Sequence, residues 1–463
     1  MLQDKYNFAY IIRISFIAAL GGLLFGYDWV VIGGAKPFYE KFFNIASNPV
    51  LQGWAVSCAL VGCVLGSMVS GLLSRRFGRR NLLISSAALF IFSAVGTGLA
   101  DNFNSFVIYR IIGGIGIGLA SNLSPVYIAE VAPSRLRGRF VSLNQLTIVI
   151  GILLAQIANW IIAGYFSENT DLLTNISASY GAQSIWRLMF WAEVIPASLF
   201  FILMWFVPDS PRWLSSKGKD RQAIAVLQKI GGKDYAFSTF EEIKNSFRDT
   251  RNRHKVRLTS RKFLPVLTVG IVLAFFQQWC GINVIFLYAE EVFTSAGYSV
   301  SDMLFNVVIT GSVNLIFTLI AMKIVDKVGR KKLMIAGSIG LTIIYAFIGT
   351  FYYMGFQGLP LLILIVTAIA CYAMTLAPVV WVILSEIFPN KIRGAAMAVS
   401  TFTLWVSNAL LAYLFPVINS GLEVYGSFWF FSIVCFLGFV FIHFRVKETK
   451  GKSLETIEKE WNL

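Results

Sequence analysis

The sequence predicts an all-α integral membrane protein with twelve transmembrane helices in two pseudo-symmetric six-helix halves. Three observations carry that expectation: an apolar composition, a series of apolar runs of spanning length, and a set of motifs that occurs twice in the same order. The 463-residue chain is 57% hydrophobic and only 14% charged, with mean hydropathy +0.70. Soluble domains run nearer half apolar and a quarter charged, so a chain of this size could not hide the excess from water. Its 38 glycines and 40 phenylalanines suit helices packed closely in lipid.

A span needs about 20 mostly apolar residues. Twelve runs qualify, at roughly 9–34, 52–73, 82–100, 106–128, 140–164, 186–207, 263–290, 303–325, 333–354, 360–384, 395–417 and 427–445. Only helices or closed barrels satisfy the backbone in lipid, and no run alternates at period two, so the spans are helices. The basic residues then set orientation. Arg75, Arg76, Arg79 and Arg80 follow the second run, and Arg135, Arg137 and Arg139 the fourth. Lys323, Lys327, Arg330, Lys331 and Lys332 follow the eighth, and Lys391 and Arg393 the tenth. Loops after odd-numbered runs hold only Lys36 and Lys41, with Arg187 at a span edge. Both termini are therefore expected on the cytoplasmic side of the plasma (inner) membrane. The net charge of +15 reads as topology and not as nucleic-acid binding.

Four segments follow: a first half over 1–207, cytoplasmic linker helices over 208–262, a second half over 263–446 and a tail helix over 447–463. In the linker, "DRQAIAVLQKI" sets Ala223, Leu227 and Ile230 on one stripe before Gly231 and Gly232 end it. "STFEEIKNSF" has Ser238 and Glu241 at capping-box spacing, with Phe240, Ile243 and Phe247 on a face. The tail repeats the theme with Leu454, Ile457 and Trp461. All five cysteines lie in apolar runs without CxxC or Cys/His spacing, so neither a metal, a cofactor nor a disulfide framework is expected.

The halves echo each other. "RRFGRRNL" (75–82) recurs as "DKVGRKKL" (326–333), and "SPVYIAEVAPSRLRG" (124–138) as "APVVWVILSEIFPNKIRG" (377–394). Glu130 precedes Arg137 by the same gap that separates Glu386 from Arg393. "VPDSPRWL" (207–214) is loosely echoed by "VKETKGKSL" (446–454). Such duplication is common in transporters, whose binding sites lie between the repeats.

One run carries a lone acid. Asp28 lies six residues before Gly34, where the first span should end, and Arg110 six residues after Asn104, where the fourth should begin. At about 1.5 Å per residue both sit roughly 9 Å below the same boundary and can pair. A carboxylate near mid-membrane costs about 2.5–3.5 kcal/mol on insertion scales, so a partner or a function is expected. A permanent ion pair and a proton switch both fit that placement.

The motifs "GRR" 78–80, "YRIIGGIGIG" 109–118, "PDSPRWL" 208–214, "QQWCGINV" 277–284, "VDKVGRKK" 325–332, "SEIFPNKIRG" 385–394 and "ETKGKSLE" 448–455 stand in one order along nearly the whole chain. In this the sequence resembles the sugar porter branch of the major facilitator superfamily. It is similar to its bacterial proton-coupled D-xylose symporters, with traits of the animal facilitative glucose transporters. The resemblance implies the major facilitator fold and a monomeric carrier that moves a monosaccharide by alternating access. It implies proton coupling at Asp28 with Arg110, because facilitative relatives carry asparagine at the aspartate position. Gln145, Gln277, Gln278, Asn283, Asn314, Trp381 and Trp405 fall on sugar-contacting positions. These residue types suit a ligand of many hydroxyls and a weakly apolar ring face. Gln278 and Asn283 would point about 140° apart on a straight helix, so sharing one cavity requires the seventh span to unwind at Gly281. Glu130, Arg137, Glu386, Arg393, Arg79 and Arg330 are implied to form a cytoplasmic gate.

Leu287, Leu404, Ala377 and Arg75 depart from the family's usual residues, and pentose and hexose both stay open. The expected partners are a monosaccharide, protons and membrane lipids, with no nucleic acid. A proton-independent uniporter is the alternative and a membrane sugar sensor a remote one. "GGIGIGLA" (113–120) invites a dinucleotide reading, but it sits within a span, lacks a preceding strand and does not give the GxGxxG spacing. With His254 and His443 lacking partners, no enzyme is expected.

Overall fold

The computed structural model describes residues 6–134, 136–168, 185–251, 260–389, 392–450, 452, 457 and 461, and no strand occurs among them. Arg135, His254, Lys391 and Leu454 lie outside the described residues. The spanning helices begin with α1 (Phe8–Phe42), α2 (Pro49–Phe77), α3 (Arg79–Leu99), α4 (Phe103–Val131) and α5 (Arg137–Glu168). The sixth span is made of α6 (Ile185–Trp191) and α7 (Val194–Met204), followed off the bundle by α8 (Pro211–Ser216) and α9 (Asp220–Arg251). The chain continues as α10 (Leu264–Trp279), α11 (Ile282–Leu287), α12 (Ala289–Ser295), α13 (Val300–Val328), α14 (Arg330–Tyr353), α15 (Leu359–Met374), α16 (Leu376–Ile387) and α17 (Arg393–Arg445). Helix α17 has 53 residues, and at about 1.5 Å each it would be some 80 Å long against a hydrocarbon core of about 30 Å. Its backbone leaves the helical region at Glu423 (φ 56°, ψ 177°), so it supplies two spans. The described residues thus hold the twelve spans expected.

Local chemistry sets the interruptions. Pro196 has no N–H for the carbonyl of Ala192, and the sixth span breaks at Ala192–Glu193. Pro378 likewise leaves the Met374 carbonyl unpaired at the join of α15 and α16. Asn102 caps α4 by accepting from Ser105 N at 2.9 Å, and Ser299 caps α13 through Asp302 N at 3.2 Å. The largest difference from expectation is α1, which continues past Gly34 to Phe42. Lys36 and Glu40, which read as loop residues, are 2% and 4% exposed and pair at 2.9 Å, so neither ends the helix.

The chain forms two compact units, each with its own packing. The first comprises Met1–Asp28, Gly62–Gly151 and Phe190–Lys255. Within it, an added Cβ at Gly62 would strike the Ile111 carbonyl, and one at Gly118 the Cys63 carbonyl, so α2 and α4 touch backbone to backbone. Ala223, Leu227 and Ile230 are buried, as their spacing requires, and Asn7 N donates to Ile230 O at 2.8 Å. The expected capping box does not form. Helix α9 resumes after the break at Gly231–Gly232, and Ser238 lies inside it, donating to Tyr235 O at 3.1 Å. The second unit comprises Trp29–Val61, Ile152–Met189 and Val256–Leu463.

The sequence echo reappears as geometry. Gly78 (φ +88°) precedes α3 and Gly329 (φ +107°) precedes α14, the left-handed region that glycine enters without a Cβ clash. The echoed "VPDS" and "VKET" segments meet these glycines. The Trp213 ring lies 3.1 Å from an added Cβ at Gly78, and a Glu448 carboxylate oxygen 2.8 Å from one at Gly329. Glu448 accepts from Arg330 N at 3.0 Å and Lys331 N at 3.2 Å. Partial burial pushes its carboxyl up, but the backbone N–H groups of Lys450, Arg330, Thr449 and Lys331 outweigh this and hold it below the usual carboxylate value. Its stabilising contribution is therefore present above the ordinary carboxylate pKa and lost as pH falls through the lowered one. Glu448→Gln should lower thermal stability in detergent at pH 7 by of order 0.5 kcal/mol. The gap between variant and parent should close on acidification below the ordinary carboxylate pKa. A gap independent of pH would contradict the charge assignment.

Candidate functional site

Within the first unit, three ionisable side chains meet where α1, α4 and the broken sixth span come together. Arg110 Nη1 donates to Asp28 Oδ1, and its Nη2 reaches the Asp28 carbonyl at 3.3 Å. Asp28 is 1% and Arg110 2% exposed. The pairing inferred from depth is made, although α1 runs well beyond Gly34. Gly113, one turn from Arg110, sits in tight packing: an added Cβ would strike the Ser93 hydroxyl and lie 3.3 Å from Asp28 Oδ2. The Phe190 ring centre lies 5.2 Å from the guanidinium carbon and covers it.

Glu193, at the break of the sixth span, is 2% exposed and within electrostatic reach of both Asp28 and Arg110. Sequence reasoning missed it, yet the rule that singled out Asp28, a lone acid in an apolar run, applies equally to "FWAEVIPA" (190–197). Asp28 Oδ2, Glu193 Oε1 and the hydroxyl of neighbouring Tyr27 have no hydrogen-bond partner among the described residues. Arg110 pairs with Asp28, and Glu193 adds a second acid within electrostatic reach. With both ionised the group carries one net negative charge; one added proton makes it neutral.

In the second unit the seventh span unwinds where the amides require. Gly281 has φ +90° between α10 and α11. The turn sets side by side two residues that a straight helix would separate: Asn283 Nδ2 donates to Gln278 Oε1 at 2.7 Å. Gln277 Nε2 reaches the Ala377 carbonyl at 3.4 Å, one turn before Trp381 on α16. Trp279 Nε1 donates to Ser407 O at 3.1 Å, which brings the stretch of α17 bearing Trp405 and Asn408 to the same break. Gln277 Oε1 and Asn408 Oδ1 are buried without a partner among the described residues, two acceptors of the kind a hydroxyl can satisfy. Trp381 is 36% exposed and Trp405 is 4% exposed. Asn314 is buried on α13, which packs on α15 and α16. Gln145 lies half-buried on α5 in the first unit.

Each motif glutamate holds the arginine that opens an earlier helix of its repeat, α3 or α14. Arg79 Nη2 reaches Glu130 Oε1 at 2.9 Å, and Arg330 Nη2 reaches Glu386 Oε1 at 3.2 Å. Ser210 donates to the other oxygen of Glu130. The arginines seven residues on behave differently. Arg393 donates to the Phe388 carbonyl from Nε at 3.1 Å and Nη2 at 3.0 Å, and Arg137 is exposed.

A family model described as "Sugar (and other) transporter" matches residues 14–461. The chain is 40% identical to the D-xylose-proton symporter of Escherichia coli (strain K12), over 99% of this chain and 97% of that protein. It is 37% identical to the arabinose-proton symporter of Bacillus subtilis (strain 168), over 99% and 96%. Among solved structures, the inward open conformation of the xylose transporter XylE from E. coli matches with a TM-score of 0.85 at 38% identity, covering 98% of this chain and 100% of that one.

Gly281→Ala is expected to cost about 1–2 kcal/mol for the left-handed backbone alone. The Phe431 ring, 2.8 Å from an added Cβ, would raise this further. Gly138→Ala, with nothing within 4 Å of its Cβ, should leave the unfolding temperature unchanged or raise it. Thermal unfolding in detergent compares the two. Equal effects would mean that the break does not depend on the glycine.

Proposed function

The chain belongs to the Sugar (and other) transporter family, and on that premise we propose that it is a secondary active transporter importing a monosaccharide together with protons by alternating access. The sugar is a D-xylose-like pentose or a D-glucose-like hexose. The observation that carries the reading is the buried group of Asp28, Arg110 and Glu193, two acids and one cation. Arginine keeps its charge. A proton arriving from outside therefore binds a carboxylate, weakens its hold on Arg110 and lets the helices that carry the group rearrange. The coupling belongs to the group as a whole, since interacting acids titrate together.

The sugar is held by Gln145, Gln277, Gln278, Asn283, Asn314, Trp381 and Trp405, the amides meeting hydroxyls and the indoles covering the ring face. Glu130, Arg79, Arg137, Glu386, Arg330 and Arg393 form a gate at the basic end. That end faces the cytoplasm, with both termini, in the inner membrane. The two six-helix halves, 1–207 and 263–446, move as the alternating bodies of a monomer in lipid, joined by the linker 208–262 and followed by a tail helix.

The test is uptake of labelled xylose, glucose, galactose and arabinose into vesicles with and without an imposed pH gradient. The gradient should drive accumulation of at least one of them. Asp28→Asn should abolish that accumulation while leaving counterflow exchange. Full accumulation in the variant would reject proton coupling at this residue, and transport indifferent to the gradient would favour a uniporter.

A further inference from the structure

The second unit contains a buried ion cluster that the reading above does not use. Lys36 on α1 is 2% exposed. Its ammonium lies 2.7 Å from Glu291 Oε1, 2.9 Å from Glu40 Oε1 and 3.4 Å from Glu290 Oε2. Gln52 of α2 donates to the second oxygen of Glu40 at 3.0 Å. The group borders a cavity of about 290 Å³ that Pro416 and Asn419 also line. A buried ammonium is costly unless carboxylates compensate it, and removing one partner leaves the others uncompensated.

The carboxylates come from two places. Glu40 travels with Lys36 on α1, whereas Glu290 and Glu291 belong to α12, the short helix after the second break in the seventh span, at Tyr288. Parting α1 from α12 would therefore strip Lys36 of two of its three partners. The surrounding backbone is committed to the same contact. An added Cβ at Gly33 would strike the Phe286 carbonyl, and one at Gly53 the Tyr413 carbonyl. Tyr288, whose ring centre lies 5.9 Å from the Lys36 ammonium, donates to the Ala412 carbonyl. Lys36 thus ties α1, and through Glu40 and Gln52 also α2, to α12 and its Tyr288 anchor on α17. A residue serving only to fix one helix would not draw its partners from elements of both halves of the sequence.

We propose that Lys36 is a positioning residue for the transport cycle, an ion lock between α1 and α12. Closed, it holds α1 and α12 together; in each turnover it must open. The proposal rests on the alternating-access reading. Leu287→Cys, 2% exposed on α11 beneath the lock, reports its state through maleimide alkylation of the purified protein in detergent, above the background of the five native cysteines. Lys36→Met should speed that alkylation about tenfold, leaving an Ala368→Cys reporter buried on α15 unchanged. Exchanging the charges, Lys36→Glu with Glu291→Lys, should return the rate to within about twofold of the parent. Should Lys36→Met fail to fold, Glu291→Gln is read in the same assay and should speed alkylation in the same direction. Equal rates with and without Lys36, or an equal rise at Ala368→Cys, would overturn the lock. Counterflow of labelled xylose or glucose by the unsubstituted chain is measured alongside. Its absence would sink the carrier reading while the alkylation comparison still judges the contact.

Discussion

The rest of the structure turns on buried charge that lipid will not tolerate alone. The Asp28–Arg110 pair is the central case: a carboxylate and a guanidinium, both nearly sealed from solvent, on two helices that meet through glycine. Either ion by itself would be expensive in hydrocarbon, and the pair does not fully solve the problem because Glu193 brings a second acid. Taken by themselves, the three side chains carry one net negative charge when both acids are ionised. In the proposed function, that excess acid is what links proton binding to helix movement.

The molecule uses the same kind of contact at three levels. In the middle of the first unit it is an ion pair with an excess acid. In each repeat it is a glutamate and an arginine, partly exposed and accordingly weaker. In the second unit Lys36 sits in a cage of three carboxylates. Contacts of this kind suit a cycle, because they are strong when aligned and lost over a small displacement, while the apolar packing within each helix pair survives.

Much of this was legible in the sequence because the membrane restricts what a chain can do. Twelve runs, the period of the helices, the duplicated motifs and the pairing of Asp28 with Arg110 all follow from burial and backbone satisfaction. Gly281 was legible for a related reason: Gln278 and Asn283 could not share a cavity unless the helix broke between them. The failures have a common cause. Lys36 and Glu40 look like loop residues because charge ordinarily marks the end of a span, and only the carboxylates of α12, some 250 positions away, reveal that they are buried. Glu193 escaped notice inside a run otherwise apolar. Ser238 and Glu241 have capping spacing, but the glycine pair just upstream had already ended the previous helix and set where the next begins. The arginines of the repeated motif pair with the glutamate across helices, a relation that spacing along one chain does not encode.

The central claim is that sugar movement carries a proton through the Asp28, Arg110 and Glu193 group. It is tested most directly by proton flux in proteoliposomes holding the purified chain, with no starting pH gradient. Addition of a transported sugar outside should draw protons inward with it, alkalinising the external medium in step with sugar entry. Sugar entry at full rate with no accompanying proton movement would contradict the account.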